Sequence, residues 1–241
     1  MGCADDWLPI VDGLGDGCRH LAVDLPGHGG SDTAPGRGFD RLVDDLAARA
    51  ADAAPPPWTI AGYSMGGRIA LYTALRHPSL FTRVILESAT PGIEDANARA
   101  ARVASDEALA QELERGDFAA FLARWYAQPL FATLHRRPGA VDGLIADRLA
   151  RCDPARLAAA LRGLGAGRQP SLWDALGTAR AAALLITGGE DEKFAGIARR
   201  MAAEWGAPEK VRWVSVPGAG HNVHLEARAD YIEVVRAFLE P

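Results

Sequence analysis

The sequence predicts an α/β fold, a mostly parallel sheet whose strands alternate with helices, interrupted by one helical insertion. Three observations carry this. Short apolar runs bounded by Gly and Pro alternate with helix-period segments in both the first and the last third of the chain. Residues 93–170, between them, hold helical patterns and no convincing strand. One apolar run passes through Gly62-Tyr63-Ser64-Met65-Gly66 directly into an Ala/Leu-rich helix. That is a G-x-S-x-G serine in a strand–turn–helix setting, raised on a sharp and strained turn.

The elements follow in order. Residues 1–19 read as a loop and a short helix. His20-Leu-Ala-Val-Asp-Leu25 alternates and stops at Pro26-Gly-His-Gly-Gly-Ser31, which predicts a strand and a Gly-rich turn. Phe39, Leu42, Val43, Leu46, Ala47 and Ala50 recur at helical spacing, and the prolines at 55–57 end that helix. Residues 58–61 predict a buried strand, 65–76 a helix and 82–88 a second buried strand. Strand, helix, strand, helix, strand implies parallel pairing with right-handed crossovers. Leu109, Leu113, Phe118, Phe121, Leu122 and Trp125 suggest a helix pair; Val141 to Leu149 and Leu157 to Leu161 suggest two more helices. The alternation resumes with a strand at 181–187, a helix at 194–205, a strand at 211–216, and a last helix ending near Leu239. The division expected is a core of 1–92 and 171–241, with 93–170 as a helical cap over the edge where open sheets bind ligands.

Composition narrows the partners. A net charge of −5 offers no basic surface for nucleic acid or an anionic membrane. No apolar run is long enough to span a bilayer, and no signal peptide is recognisable. Cys3, Cys18 and Cys152 are odd in number and widely spaced, which suits a reducing compartment and matches no disulfide or zinc pattern. The expectation is a cytoplasmic protein that can act as a monomer, with no membrane insertion, no metal and no cofactor.

A serine hydroxyl is a poor nucleophile or base until a histidine takes its proton and a carboxylate orients that histidine. Asp191 follows one predicted strand, and His221 lies in the Gly-rich loop after the next. With Ser64 they fall in the order serine, acid, histidine, each at the C-terminal end of a strand. Glu190 and Glu192 compete with Asp191, which could instead serve only as a helix cap. His224 falls outside the Gly loop and is the less suitable histidine. The Met65 N–H, directly after the serine, would be one donor to a developing oxyanion.

The chain resembles the MenH family, the 2-succinyl-6-hydroxy-2,4-cyclohexadiene-1-carboxylate synthases of menaquinone biosynthesis, built on the α/β-hydrolase fold. Asp24-Leu-Pro-Gly-His-Gly-Gly-Ser31, Gly62-Tyr-Ser-Met-Gly-Gly-Arg68, Glu87-Ser88 with Pro91-Gly92, Trp125-Tyr-Ala-Gln-Pro-Leu-Phe131, Gly189-Glu-Asp-Glu-Lys-Phe194 and Pro217-Gly-Ala-Gly-His-Asn-Val-His-Leu-Glu226 carry the match. The resemblance implies an elimination, in which a base removes a proton, pyruvate leaves and a cyclohexadiene remains. Ser64, His221 and Asp191 would be the catalytic set. The small-molecule substrate is a polycarboxylate, so arginines suit its site. Arg68, Arg102 and Arg148 match substrate-binding arginines, with Arg151 a rival to Arg148, and Tyr63 and Trp125 match aromatic site residues. A hydrolase acting on a carbon–carbon or ester bond, and a truncated inactive member, are the alternatives. Family members begin with strands leading to a His-Gly-Phe-type turn, whereas Met1-Gly-Cys-Ala-Asp-Asp-Trp7 matches the segment just after that turn. The N-terminal strands are therefore expected upstream of an internal methionine, or to be missing from a shortened chain.

Overall fold

Four of the apolar runs become strands because each finds a neighbour to pair with along most of its length. The structure, a computed structural model, describes residues 1–31 and 38–240. In chain order its elements are α1 (Leu8–Leu14), α2 (Gly38–Ala53), β1 (Trp58–Tyr63), α3 (Met65–Arg76), β2 (Phe81–Glu87), α4 (Ala96–Arg115), α5 (Phe118–Tyr126), α6 (Ala140–Arg151), α7 (Pro154–Leu164), α8 (Trp173–Leu176), β3 (Ala182–Gly188), α9 (Glu192–Glu204), β4 (Val211–Val216), α10 (Val223–Glu226) and α11 (Arg228–Leu239). They fall into two compact units.

The first unit, Asp40–Gly92 with Ser171–Pro241, carries the sheet. Its strand order is β1-β2-β3-β4 and every pairing is parallel. All four strands therefore end at one edge, where Tyr63 pairs with Glu87, Glu87 with Ile186, and Gly188 with Val216. The central strands are nearly continuous apolar runs, Val84-Ile-Leu86 and Ala183-Leu-Leu-Ile186, all buried. Such runs suit a sheet covered on both faces. Helix α3 packs on β1 and β2, and α9 on β3 and β4. Leu71, Val84, Leu86, Leu176, Leu185 and Met201 anchor the core, each leucine contributing about 1.5–3 kcal/mol of burial.

The second unit is Met1–Phe39 with Ile93–Pro170. The breaks at 92/93 and 170/171 coincide with the limits of the predicted insertion, but residues 1–39 belong with the helices rather than with the sheet. Three aspartates start its helices: Asp95, Asp117 and Asp153 accept from the first free N–H groups of α4, α5 and α7. Helix α4 lies against α7, and Leu113, Phe121, Leu122, Leu134 and Leu157 form an apolar cluster. The strand expected at 20–25 does not form. Leu21 is exposed and this segment has no ladder partner among the described residues, so its alternation has no sheet to bury against. Asp24 instead ties the segment into loops, accepting from Ala4 N (2.7 Å) and Gly30 N (2.9 Å). Gly27, at φ 82°, lies so close to α7 that a Cβ would come within 2.6 Å of the Arg156 carbonyl. Arg156 in turn donates to the carbonyls of Gly29 and Ser31. Among the described residues no helix is long and apolar enough to cross a membrane.

His28, in the same turn, is 7% exposed, and its Nδ1–H donates to the Pro26 carbonyl (3.2 Å). Burial, and after it nearby positive charge, pushes its pKa down from 6.5 to about 4. Between those values the unfolded chain takes a proton that the folded chain refuses. Stability should thus fall as pH drops through this window, by roughly 2 kcal/mol at pH 5. Urea unfolding at pH 7 and pH 5 checks it: His28→Gln should lose about that much less between the two conditions than the wild type, and equal losses would contradict the assignment.

Candidate active site

The site is built from the turn after β1. A Cβ on Gly62 would stand 2.3 Å from the Gly66 backbone, and one on Gly67 would stand 2.6 Å from the Ala89 Cβ. Glycine at both positions lets α3 start directly where β1 stops. Ser64 between them has φ 47° and ψ −107°, a conformation that costs a non-glycine residue on the order of 1–3 kcal/mol. It is held from both sides: its N–H donates to the Glu87 carbonyl (2.8 Å), and its carbonyl accepts from Arg68 N (3.0 Å). Ser88, after β2, has the same unusual φ of 46°. Its N–H donates to the Ile186 carbonyl (2.9 Å), while its buried hydroxyl has no partner among the described residues.

The loops after β3 and β4 meet this serine. The Ser64 hydroxyl lies 3.2 Å from His221 Nε2, and His221 Nδ1 lies 2.8 Å from Asp191 Oδ2. The carboxylate accepts only from a protonated Nδ1, so Nε2 is left to accept the serine proton. Asp191 Oδ1 accepts from Phe194 N (3.2 Å), at the start of α9. Helix cap and histidine partner are thus two oxygens of one residue. Glu190 and Glu192 flank it without taking that place. The His221 ring sits between Tyr63 and Phe194, with ring centroids 5.3 Å and 4.6 Å away, and is 2% exposed.

The second histidine is engaged elsewhere. His224 gives both its backbone N–H (3.0 Å) and its Nδ1 (2.8 Å) to the fully buried Glu87 carboxylate. Glu226 accepts from Gly220 N (2.9 Å) and Asn222 N (3.1 Å), on either side of His221. A Cβ on Gly188 would lie 2.1 Å from the Gly220 carbonyl, so this loop presses directly on the end of β3.

The remaining predicted residues divide between the units. In the sheet unit Met65 is the first residue of α3, where a helix leaves N–H groups unpaired, and Arg68 is buried one turn later. In the helical unit Arg102 Nε donates to Asp106 (2.8 Å), which leaves its outer nitrogens as donors. Trp125 stacks on Phe121 at 6.0 Å. Arg148 is engaged with carboxylates of its own unit. Its two outer nitrogens fork onto Asp6 at 2.9 and 2.7 Å and one also reaches Asp147. Burial opposes ionisation of Asp6, but the Arg148 guanidinium outweighs it and holds the carboxyl below its usual range. Arg151 is likewise committed, to Asp6 and Asp147. Among the described residues no group of three or more His, Cys, Asp or Glu could hold a metal ion.

A serine, a histidine and an aspartate in hydrogen-bonded line, on a strained turn at the carboxyl edge of a parallel sheet, can take up a proton or attack a carbonyl. Residues 2–234 match the alpha/beta hydrolase family. The chain belongs to that family. It is 34% identical to the protein PHYLLO, chloroplastic, of Arabidopsis thaliana over 99% of this chain, which is 15% of that protein. It is 34% identical to the 2-succinyl-6-hydroxy-2,4-cyclohexadiene-1-carboxylate synthase of Escherichia coli O1:K1 over 96% of this chain and 87% of the relative. The structure of MenH from S. aureus superimposes with a TM-score of 0.92 at 28% identity, covering 98% of this chain and 89% of that one.

Sequence reasoning missed Glu87 and Glu226 as supports of the site. Glu87 carried a signal, a carboxylate at the end of an otherwise apolar buried strand, since such a group needs a partner. Glu226, five residues after His221, gave none, because its partners are backbone groups.

The two glycines of the motif should differ. Gly62→Ala forces backbone into backbone and should lower the melting temperature by roughly 5 °C or more. Among the described residues, and apart from its chain neighbours and its own helix backbone, nothing lies within 4 Å of a Cβ on Gly66, so Gly66→Ala should melt close to the wild type. Calorimetry of the two variants checks this, and equal losses would contradict the geometry.

Proposed function

We propose that this chain is a 2-succinyl-6-hydroxy-2,4-cyclohexadiene-1-carboxylate synthase, a carbon–oxygen lyase that eliminates pyruvate from 2-succinyl-5-enolpyruvyl-6-hydroxy-3-cyclohexene-1-carboxylate. One observation carries the reading: the Ser64–His221–Asp191 line sits in a chain 34% identical to a synthase of that name over 96% of its length.

Ser64 Oγ, its own proton passed to His221 Nε2, removes a ring proton from the substrate. The electron pair of the broken C–H bond forms a new ring double bond, and the double bond already in the ring shifts by one carbon toward the C–O bond. That bond to the enolpyruvyl group breaks, and the departing enolate takes up a proton, matching the one removed from the ring, to become pyruvate. Asp191 keeps the imidazole in the tautomer that accepts from serine and stabilises it once charged. The Met65 N–H stabilises the enolate as it forms. Arg68, one turn into the same helix, supplies a cation for a substrate carboxylate.

The same three residues would serve acyl transfer equally well, so the substrate decides between elimination and hydrolysis. Pyruvate release from the enolpyruvyl precursor, followed by coupled reduction of the pyruvate, should be fast in the wild type. Ser64→Ala and His221→Ala should each lower kcat/KM by about 10³-fold or more, and Arg68→Ala should act mainly on KM, by about tenfold. Ester turnover without pyruvate release would favour the hydrolase, and near-normal elimination by Ser64→Ala would refute the mechanism.

A further inference from the structure

We propose that Glu226 is a positioning residue that sets the reach of His221 Nε2 to Ser64 by clamping the backbone on both sides of the histidine. The role builds on the assignment of Ser64 and His221 as the working pair.

His221 belongs to no regular element. It lies between β4 and the four-residue α10, in a loop with Gly218 at φ 70° and Gly220 next to it. Asp191 holds the ring at Nδ1, which sets the orientation of the imidazole but not the position of the Cα that carries it. That position depends on the peptide groups before and after residue 221, and among the described residues no ladder or helix partner takes the N–H of Gly220 or Asn222. One carboxylate takes both: Glu226 Oε2 accepts from Gly220 N at 2.9 Å and Oε1 from Asn222 N at 3.1 Å. The Glu226 backbone N–H closes the clamp by donating to the Asn222 carbonyl (2.8 Å).

Glu226 is 2% exposed and takes no lysine or arginine partner among the described residues. A buried carboxylate without a cation is a costly way to close a turn. What a carboxylate provides and a neutral amide does not is two acceptor atoms side by side. Glutamine, of the same shape, would satisfy one N–H and turn its NH₂ against the other. The loop would shift, and the 3.2 Å contact between His221 and Ser64 would lengthen. Misplacement by about 1 Å costs on the order of 100-fold in rate.

The test compares wild type, Glu226→Gln and Glu226→Asp as full chains, below the melting temperature of each. The readouts are kcat and KM for pyruvate release, and the rate at which an alkyl fluorophosphonate modifies Ser64, followed by mass. The probe reads the serine–histidine pair whatever the natural substrate. Glu226→Gln is expected to lower kcat and the labelling rate together, about 10- to 100-fold, with KM within twofold. Glu226→Asp keeps both acceptors but retracts them, and should fall between, at least threefold below wild type. It decides the matter alone should the glutamine variant not fold. Labelling of the folded variants within twofold of wild type, or a fall in kcat without a fall in labelling, would overturn the role of Glu226. A wild type that is labelled but releases no pyruvate would instead overturn the synthase reading, and the labelling ratio would still decide Glu226.

Discussion

The sheet unit depends on one close approach, the contact of Gly62 with Gly66 and Gly67 across the turn between β1 and α3. Any side chain at 62 would push the helix away from the strand end. With the contact made, α3 packs on β1 and β2 and the chain reverses within a single residue, Ser64. The strain in that residue is offset by ordinary interactions around it: two backbone hydrogen bonds at Ser64 itself, and the burial of Ile69, Ala70 and Leu71 on the helix it starts. A catalytic geometry is thus stabilised by packing several residues away from it.

Glu87 links the strained turn to the histidine loop. Its carbonyl receives the Ser64 N–H, and its buried carboxylate receives His224, three residues past His221. Asp191 has a similar double task, with one oxygen at the start of α9 and one on His221. Groups that share partners in this way hold a geometry more tightly than the same bonds made separately, because a shift at one end breaks contacts at the other. The serine, the acid and the histidine come from three different loops, yet two buried carboxylates reach from one element to the next.

Much of this was legible in local chemistry. The strand–glycine–serine–glycine–helix stretch, the buried apolar runs and the helical block at 93–170 follow from side-chain periodicity and from where glycine and proline fall. Those signals act over a few residues, so they survive without knowledge of the fold. The strand expected at 20–25 failed for the complementary reason. Alternation states only that one face is apolar, and a strand exists only where another chain segment offers its backbone. Arg148 is a similar case: an arginine reads alike whether it awaits a carboxylate substrate or already holds Asp6, more than a hundred positions away.

The sequence by itself determined the alternation of strands and longer helices from residue 58 onward, the elbow at Ser64, and the placement of an acid and a histidine after successive strands, because each depends on neighbours in the chain. Tertiary structure decided which of three consecutive carboxylates meets the histidine, and which of two nearby histidines meets the serine. It also decided that residues 1–39 pack with the helices, and that Glu226 clamps the loop. These are settled by distances between segments far apart in the chain. A hydrogen bond depends on where two groups come to lie, and only the packing of the strands and helices brings His221 within 2.8 Å of Asp191 on one side and 3.2 Å of Ser64 on the other.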